Sequence, residues 1–124
     1  MKTLSIRPAT AADSPAIAAI YAHAVLHGTA SWEIDPPGAD EMLRRQEAIL
    51  AGGYPYLVAE RDGVIVGYAY ASAYRPRPAY RSTVENSIFI APAAQGMGAG
   101  AALLEALMNA CAGRGFRQMI AGIG

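Results

Sequence analysis

Two hydrophobic rhythms run along the chain. Leu4, Ser5, Ile6 and Arg7 alternate apolar and polar, which predicts a short strand over Leu4–Arg7. From Ile17 the period lengthens. Ile17, Ile20, Tyr21, Ala24 and Val25 stand at i, i+3, i+4, i+7 and i+8, the stripe of a helix. Ahead of it, Thr10-Ala11-Ala12-Asp13 has the form of a capping box with Asp in the Glu/Gln place. Pro15 fits the first turn, and Gly28 is a natural stop. Gly28 to Asp40, with Trp32 and Pro36-Pro37-Gly38, reads as an irregular connection. Asp40 is the expected N-cap of a second helix through Ala51, with Met42 or Leu43, Gln46, Ile49 and Leu50 inward. Gly52-Gly53 ends it.

The second half returns to the strand period. Tyr56–Arg61 and Val64–Tyr74 are predicted strands joined by Asp62-Gly63, a strong hairpin signal. A strand over Thr83–Ala91 lies beyond the basic, proline-broken loop Arg75–Arg81, and Pro92 closes it. A glycine-rich turn, a helix from about Ala99 to Ala112 and a short strand at Gln118–Ile123 complete the order βααβββαβ. That order predicts an α/β (α+β) domain, residues 1–124, with a mixed sheet covered by helices.

Composition narrows the function classes. The chain has 124 residues, with 10 Lys+Arg against 10 Asp+Glu and a net charge of zero, a balance that argues against a nucleic-acid binder. No apolar run approaches the roughly 18 residues of a membrane span. The single cysteine, Cys111, excludes an internal disulfide framework and a cysteine-based zinc cluster, and it reads as a small buried hydrophobe. Met1-Lys2 is not followed by a hydrophobic signal core, so the expected location is cytoplasmic.

The segment richest in chemistry is Ile88-Phe89-Ile90-Ala91-Pro92-Ala93-Ala94-Gln95-Gly96-Met97-Gly98-Ala99-Gly100. Its glycines at alternate positions leave the backbone bare, and the helix that follows adds unpaired amides and the positive end of its dipole. Such a turn can hold a pyrophosphate, or it can simply let strand and helix approach closely. A Walker A loop is excluded because no Lys-Ser/Thr follows the last glycine. A dinucleotide-binding unit needs an acidic residue about 20 positions on, and Gln118 to Gly122 holds none.

Gln95-x-x-Gly98-x-Gly100 resembles the (Arg/Gln)-x-x-Gly-x-(Gly/Ala) motif of the GNAT superfamily of acyl-CoA-dependent N-acetyltransferases. Ile6-Arg7-Pro8-Ala9-Thr10, Tyr74-Arg75-Pro76 and Tyr80-Arg81-Ser82-Thr83-Val84-Glu85-Asn86-Ser87-Ile88-Phe89-Ile90 resemble its phosphinothricin/methionine sulfoximine branch over the whole chain. The resemblance implies a GNAT-type, mostly antiparallel sheet flanked by helices. It implies acetyl-CoA as co-substrate, with its pantetheine arm along Ile88, Phe89 and Ile90. The pyrophosphate would lie on the turn formed by Gly96, Met97, Gly98, Ala99, Gly100 and Ala101. It implies direct acetyl transfer to a small amino-acid-like amine, and a homodimer. Family members continue past Ile123-Gly124, so the chain is expected to be a fragment lacking the C-terminal part of the fold.

Individual residues carry two readings each. By strand pattern Glu85 is a solvated carboxylate, whereas the resemblance makes it the general base that takes the proton of the attacking amine. Asn86 interrupts the alternation and predicts a bulge nearby. Arg75, Arg77 and Arg81 form either a solvated basic loop or, in Arg75 and Arg77, guanidinium forks for the carboxylate or phosphinate of an amino-acid acceptor. Trp32 is a core aromatic or a wall of the acceptor pocket, which the resemblance extends to Asn86 and Ser87. His23 and His27 have a zinc-compatible spacing but lie off the apolar stripe with no acidic third ligand, so no metal is expected. A peptide N-terminal acetyltransferase and an inactive acyl-CoA-binding module are the alternative functions.

Overall fold

A computed structural model of the chain describes residues 4–27, 35–73, 83–96, 98–113 and 118–123. The elements are β1 (Leu4–Pro8), α1 (Ser14–Leu26), α2 (Ala39–Ala51), β2 (Tyr56–Arg61), β3 (Val64–Ala73), β4 (Thr83–Ile90), α3 (Ala99–Gly113) and β5 (Gln118–Ile123). The strands form one sheet in the order β1-β2-β3-β4-β5. The first four are mutually antiparallel, and β5 runs parallel to β4. The hairpin between β2 and β3 turns on Asp62 at φ 54° and Gly63 at φ 79°. Two successive left-handed residues are the geometry of a type I′ turn, whose twist matches that of the strands it joins.

Each face of the sheet has its own core. Ile17, Tyr21 and Val25 of α1 and Met42 of α2 pack on Tyr56, Val58, Tyr68 and Phe89. Leu103, Leu107 and Cys111 of α3 pack on Leu57, Ala59, Ala69 and Ala71 on the opposite face. Small side chains in the middle of β2 and β3 bring α3 down close to the sheet. On the α1–α2 face the aromatic rings stack across the strands, Tyr56 on Tyr70 at 5.0 Å and Tyr68 on Phe89 at 5.1 Å. Tyr21 meets Phe89 edge-on at 5.4 Å. Such pairs contribute about 0.5–1.5 kcal/mol beyond the area they bury.

Asp13 fastens the start of α1 to the sheet. Its carboxylate accepts the Thr10 amide at 2.8 Å and the two terminal Arg7 guanidinium nitrogens at 2.9 Å, while Arg7 Nε donates to Glu60 of β2 at 2.9 Å. The Arg7 hydrogen bonds hold the buried Asp13 carboxyl below its ordinary range.

Three local expectations need correction. The N-cap of α2 is Gly38, and Asp40 lies with Glu41 inside the first turn, where the helix dipole favours negative charge. Leu50 is 41% exposed, because the inward line of α2 runs through Met42, Gln46 and Ile49, and Leu50 sits about 100° further round. No bulge occurs at Asn86. β3 and β4 pair one to one from Gly67↔Ile90 to Ala73↔Val84, and the small Ala71 opposite leaves Asn86 room inside the ladder. The register shift falls instead between β2 and β3, at Ala59/Glu60.

Candidate functional site

β4 is paired on both sides, antiparallel to β3 and parallel to β5 from Thr83↔Gln118 to Ile88↔Ile123. Its alternation sends Asn86, Ile88 and Ile90 toward α3, in register with Ala71, Ala69 and Gly67. Glu85, Ser87 and Phe89 go to the α1–α2 side, opposite Ser72, Tyr70 and Tyr68. Glu85 and Ser87 are half-buried, whereas Asn86 is 1% exposed. The strand therefore puts Glu85 and Ser87 together and sends Asn86 to the other face.

After β4 the chain makes a single turn of helix at Pro92–Ala94 and then the glycine turn. Gly96 and Gly98 have φ of 89° and 83°, a backbone conformation that costs an L-residue about 1–2 kcal/mol. A Cβ at either position would meet no atom within 4 Å. Glycine is demanded here by torsion, not by lack of room, and the peptide faces open space. The Ala102 amide makes a first helical bond to Gly98 O at 3.1 Å. The amides of Ala99, Gly100 and Ala101 precede it, at the positive end of α3.

These features meet at a cavity of about 480 Å³. Its walls are Ile20, His23 and Ala24 of α1, Ile88, Phe89 and Ile90 of β4, Gln95 of the turn, and Gly100, Ala101 and Leu104 of α3. An elongated ligand with an apolar shaft and an anionic end would find the shaft's surface along β4 and the anion's donors at α3. Five of the residues expected to hold the cofactor, Ile88, Phe89, Ile90, Gly100 and Ala101, line this space. Ala99 is buried beneath it, and Gly96 and Gly98 shape the turn above. Glu85 does not line the cavity. Met97, Arg75, Arg77 and Trp32 lie outside the described residues.

The structure brings to the cleft two residues that the sequence pattern did not place there. Gly67 lies opposite Ile90, where a Cβ would come within 2.8 Å of Ile90 Cδ1, 3.0 Å of the Phe89 carbonyl and 3.2 Å of Leu103 Cδ1. An isolated glycine inside a strand is the available signal for such a close approach. His23 was set aside as a metal ligand, yet it stands at the cavity, exposed and stacked on His27 at 4.1 Å. Among the described residues no group of three or more His, Cys, Asp or Glu side chains could hold a metal ion. Nor is any described helix long and apolar enough to cross a membrane. Burial drives the Tyr56 and Tyr68 phenols far above their ordinary pKa, so both stay neutral in the core.

A mixed sheet with one parallel pair, and a left-handed glycine turn feeding a helix above an apolar cleft, define the class: an α/β domain with a helix N-terminus at the rim of an apolar cleft. Comparison with known proteins fixes the family. The sequence profile described as "Acetyltransferase (GNAT) family" matches residues 17–123, and the chain belongs to that family. It is 56% identical over 112 residues to the phosphinothricin N-acetyltransferase of Alcaligenes faecalis, covering 90% of this chain and 57% of that protein. It is 42% identical over 120 residues to the L-methionine sulfoximine/L-methionine sulfone acetyltransferase of Salmonella typhimurium, covering 97% and 70%. Among solved structures, the phosphinothricin acetyltransferase of Sinorhizobium meliloti in complex with AcCoA superposes with a TM-score of 0.92 at 50% identity, over 98% of this chain and 66% of that one. The chain thus spans between about half and about two thirds of the length of these relatives.

Proposed function

We propose that the protein is an acetyl-CoA-dependent N-acetyltransferase acting on the primary amine of a small amino-acid-like acceptor of the phosphinothricin or methionine sulfoximine type. One observation carries the reading. Gly96 and Gly98 hold left-handed torsions that lead into the bare first amides of α3, at the rim of an apolar cleft walled by Ile88–Ile90. The pyrophosphate of acetyl-CoA takes the amides of the turn and of α3, Gly96 to Ala101, and its pantetheine arm follows β4. The acceptor nitrogen attacks the thioester carbon directly. A β4 amide stabilises the oxyanion of the tetrahedral intermediate, the C–S bond breaks, and CoA leaves as its thiolate.

Glu85 takes the proton that the amine loses, because only a neutral nitrogen has a lone pair to attack with. Ser87 shares its face and supports the acceptor side. The resemblance to the family supports Arg75, Arg77, Asn86 and Trp32 as the remaining acceptor residues. Of these, Asn86 is buried on the α3 side, so any part it takes in acceptor binding is through the placement of β4 and not by touching the acceptor. The resemblance also supports a cytoplasmic homodimer, which light scattering of the purified protein tests.

The deciding experiment titrates the intact protein with acetyl-CoA by calorimetry. It then follows free-thiol release with phosphinothricin, methionine sulfoximine, other amino acids and a peptide with a free N-terminus. Turnover with the small acceptors supports the proposal, turnover with the peptide alone supports a peptide acetyltransferase, and binding without turnover leaves an acyl-CoA-binding module. Glu85→Gln is expected to lower kcat/KM by about 10²–10⁴ at neutral pH without changing the affinity for acetyl-CoA. Full retained activity would remove Glu85 from the role of base.

A further inference from the structure

The cavity is asymmetric in its chemistry. Its β4 and α3 sides bring backbone and apolar side chains, and the single polar side chain on its α1 wall is His23, between Ile20 and Ala24. Among the described residues lining the cavity His23 is the one ionisable side chain, and Gln95 of the turn is the other polar one. His23 sits one helical turn before His27 and stacks on that ring at 4.1 Å with an interplanar angle of 29°. The stack holds the imidazole at the mouth of a space whose other α1 residues are apolar.

Resting on the proposed function, we infer that His23 is a cofactor-binding residue that hydrogen-bonds an amide of the pantetheine arm from the side opposite β4. That arm is an apolar chain interrupted by two amides. An amide drawn into an apolar cleft loses water, and leaving its second polar group unpaired is costly. β4 can satisfy the groups turned toward it. On the facing wall, His23 is the side chain able to satisfy the others. His27 acts by holding the His23 ring in place and does not line the cavity.

The test uses calorimetry on the intact protein with two probes, coenzyme A and adenosine 3′,5′-bisphosphate, which lacks the arm. His23→Phe keeps a ring stacked on His27 but removes the hydrogen bond. It is expected to weaken coenzyme A binding about five- to tenfold while leaving the bisphosphate unchanged. His23→Asn restores most of the loss. In steady state, KM for acetyl-CoA rises in His23→Phe while kcat holds. Unchanged coenzyme A binding in His23→Phe, or an equal loss for both probes, would overturn the assignment. Absence of coenzyme A binding by the unmodified protein would instead overturn the function on which it rests.

Discussion

Gly67→Ala probes how tightly the cleft wall is built. The residue is buried between β4 and α3, and its φ lies outside the left-handed region, so alanine is torsionally acceptable. The cost comes from space. The new methyl would lie 2.8 Å from Ile90 Cδ1 and 3.2 Å from Leu103 Cδ1, and each of those side chains can yield by leaving its rotamer, at about 0.5–1.5 kcal/mol. It would also lie 3.0 Å from the Phe89 carbonyl, which yields only if β4 moves. Against this, alanine restricts the unfolded chain and returns about 0.4–1 kcal/mol. The balance is a destabilisation of about 1–3 kcal/mol, the usual range for overpacking. In urea, a loss of about 2 kcal/mol at an m-value of about 2 kcal/mol/M lowers the midpoint by about 1 M with the slope unchanged. Ile90 lines the cleft, so the same variant should bind coenzyme A more weakly. An unaltered midpoint together with unaltered affinity would show that the contact of β3, β4 and α3 is slack, and the reasoning would fail.

Other substitutions separate torsion, charge and burial. Gly98→Ala meets no neighbour but must hold φ near 83°, so it should cost about 1–2 kcal/mol in thermal melts and weaken coenzyme A; an unchanged melting temperature would contradict the torsional argument. Because the folded Asp13 carboxyl titrates below its unfolded value, its contribution is complete at pH above the ordinary carboxylate range and is lost as pH falls through the folded value. With Arg7 partly exposed, Asp13→Asn should cost about 1–2 kcal/mol near pH 7 and flatten the acid limb of a stability–pH curve; an acid limb identical to the parent's would refute it. The Tyr68 hydroxyl is buried with no hydrogen-bond partner among the described residues, so Tyr68→Phe should be neutral or stabilising by up to about 1 kcal/mol, and a clear loss in denaturant titration would expose a partner.

Periodicity and turn chemistry made most of the fold legible. The α1 stripe is buried at all five positions, and the Asp62-Gly63 hairpin and the Gln118–Ile123 strand fall at the expected residues. The misplacements have a common source. Capping and strand irregularity depend on what faces a residue, so Gly38 displaced Asp40 at the cap and Ala71 let Asn86 stay in the ladder. The cofactor side of the site is a contiguous motif, and five of its expected residues share one cavity. His23 and Gly67 escaped for the opposite reason: they belong to α1 and β3, and only the packing of those elements against β4 gives them a neighbour at the cleft.

The double pairing of β4 also fixes what kinds of change the strand can tolerate. Glu85 and Ser87 open onto the α1–α2 side and Asn86 onto the α3 side, so a substitution at one of them alters one face of the sheet and leaves the other. A single inserted or deleted residue has no such freedom. It would turn the acid at 85 into the alanine-lined core under α3 and bring the amide of Asn86 out in its place. Diversification along this strand therefore proceeds by exchange of side chains at constant length.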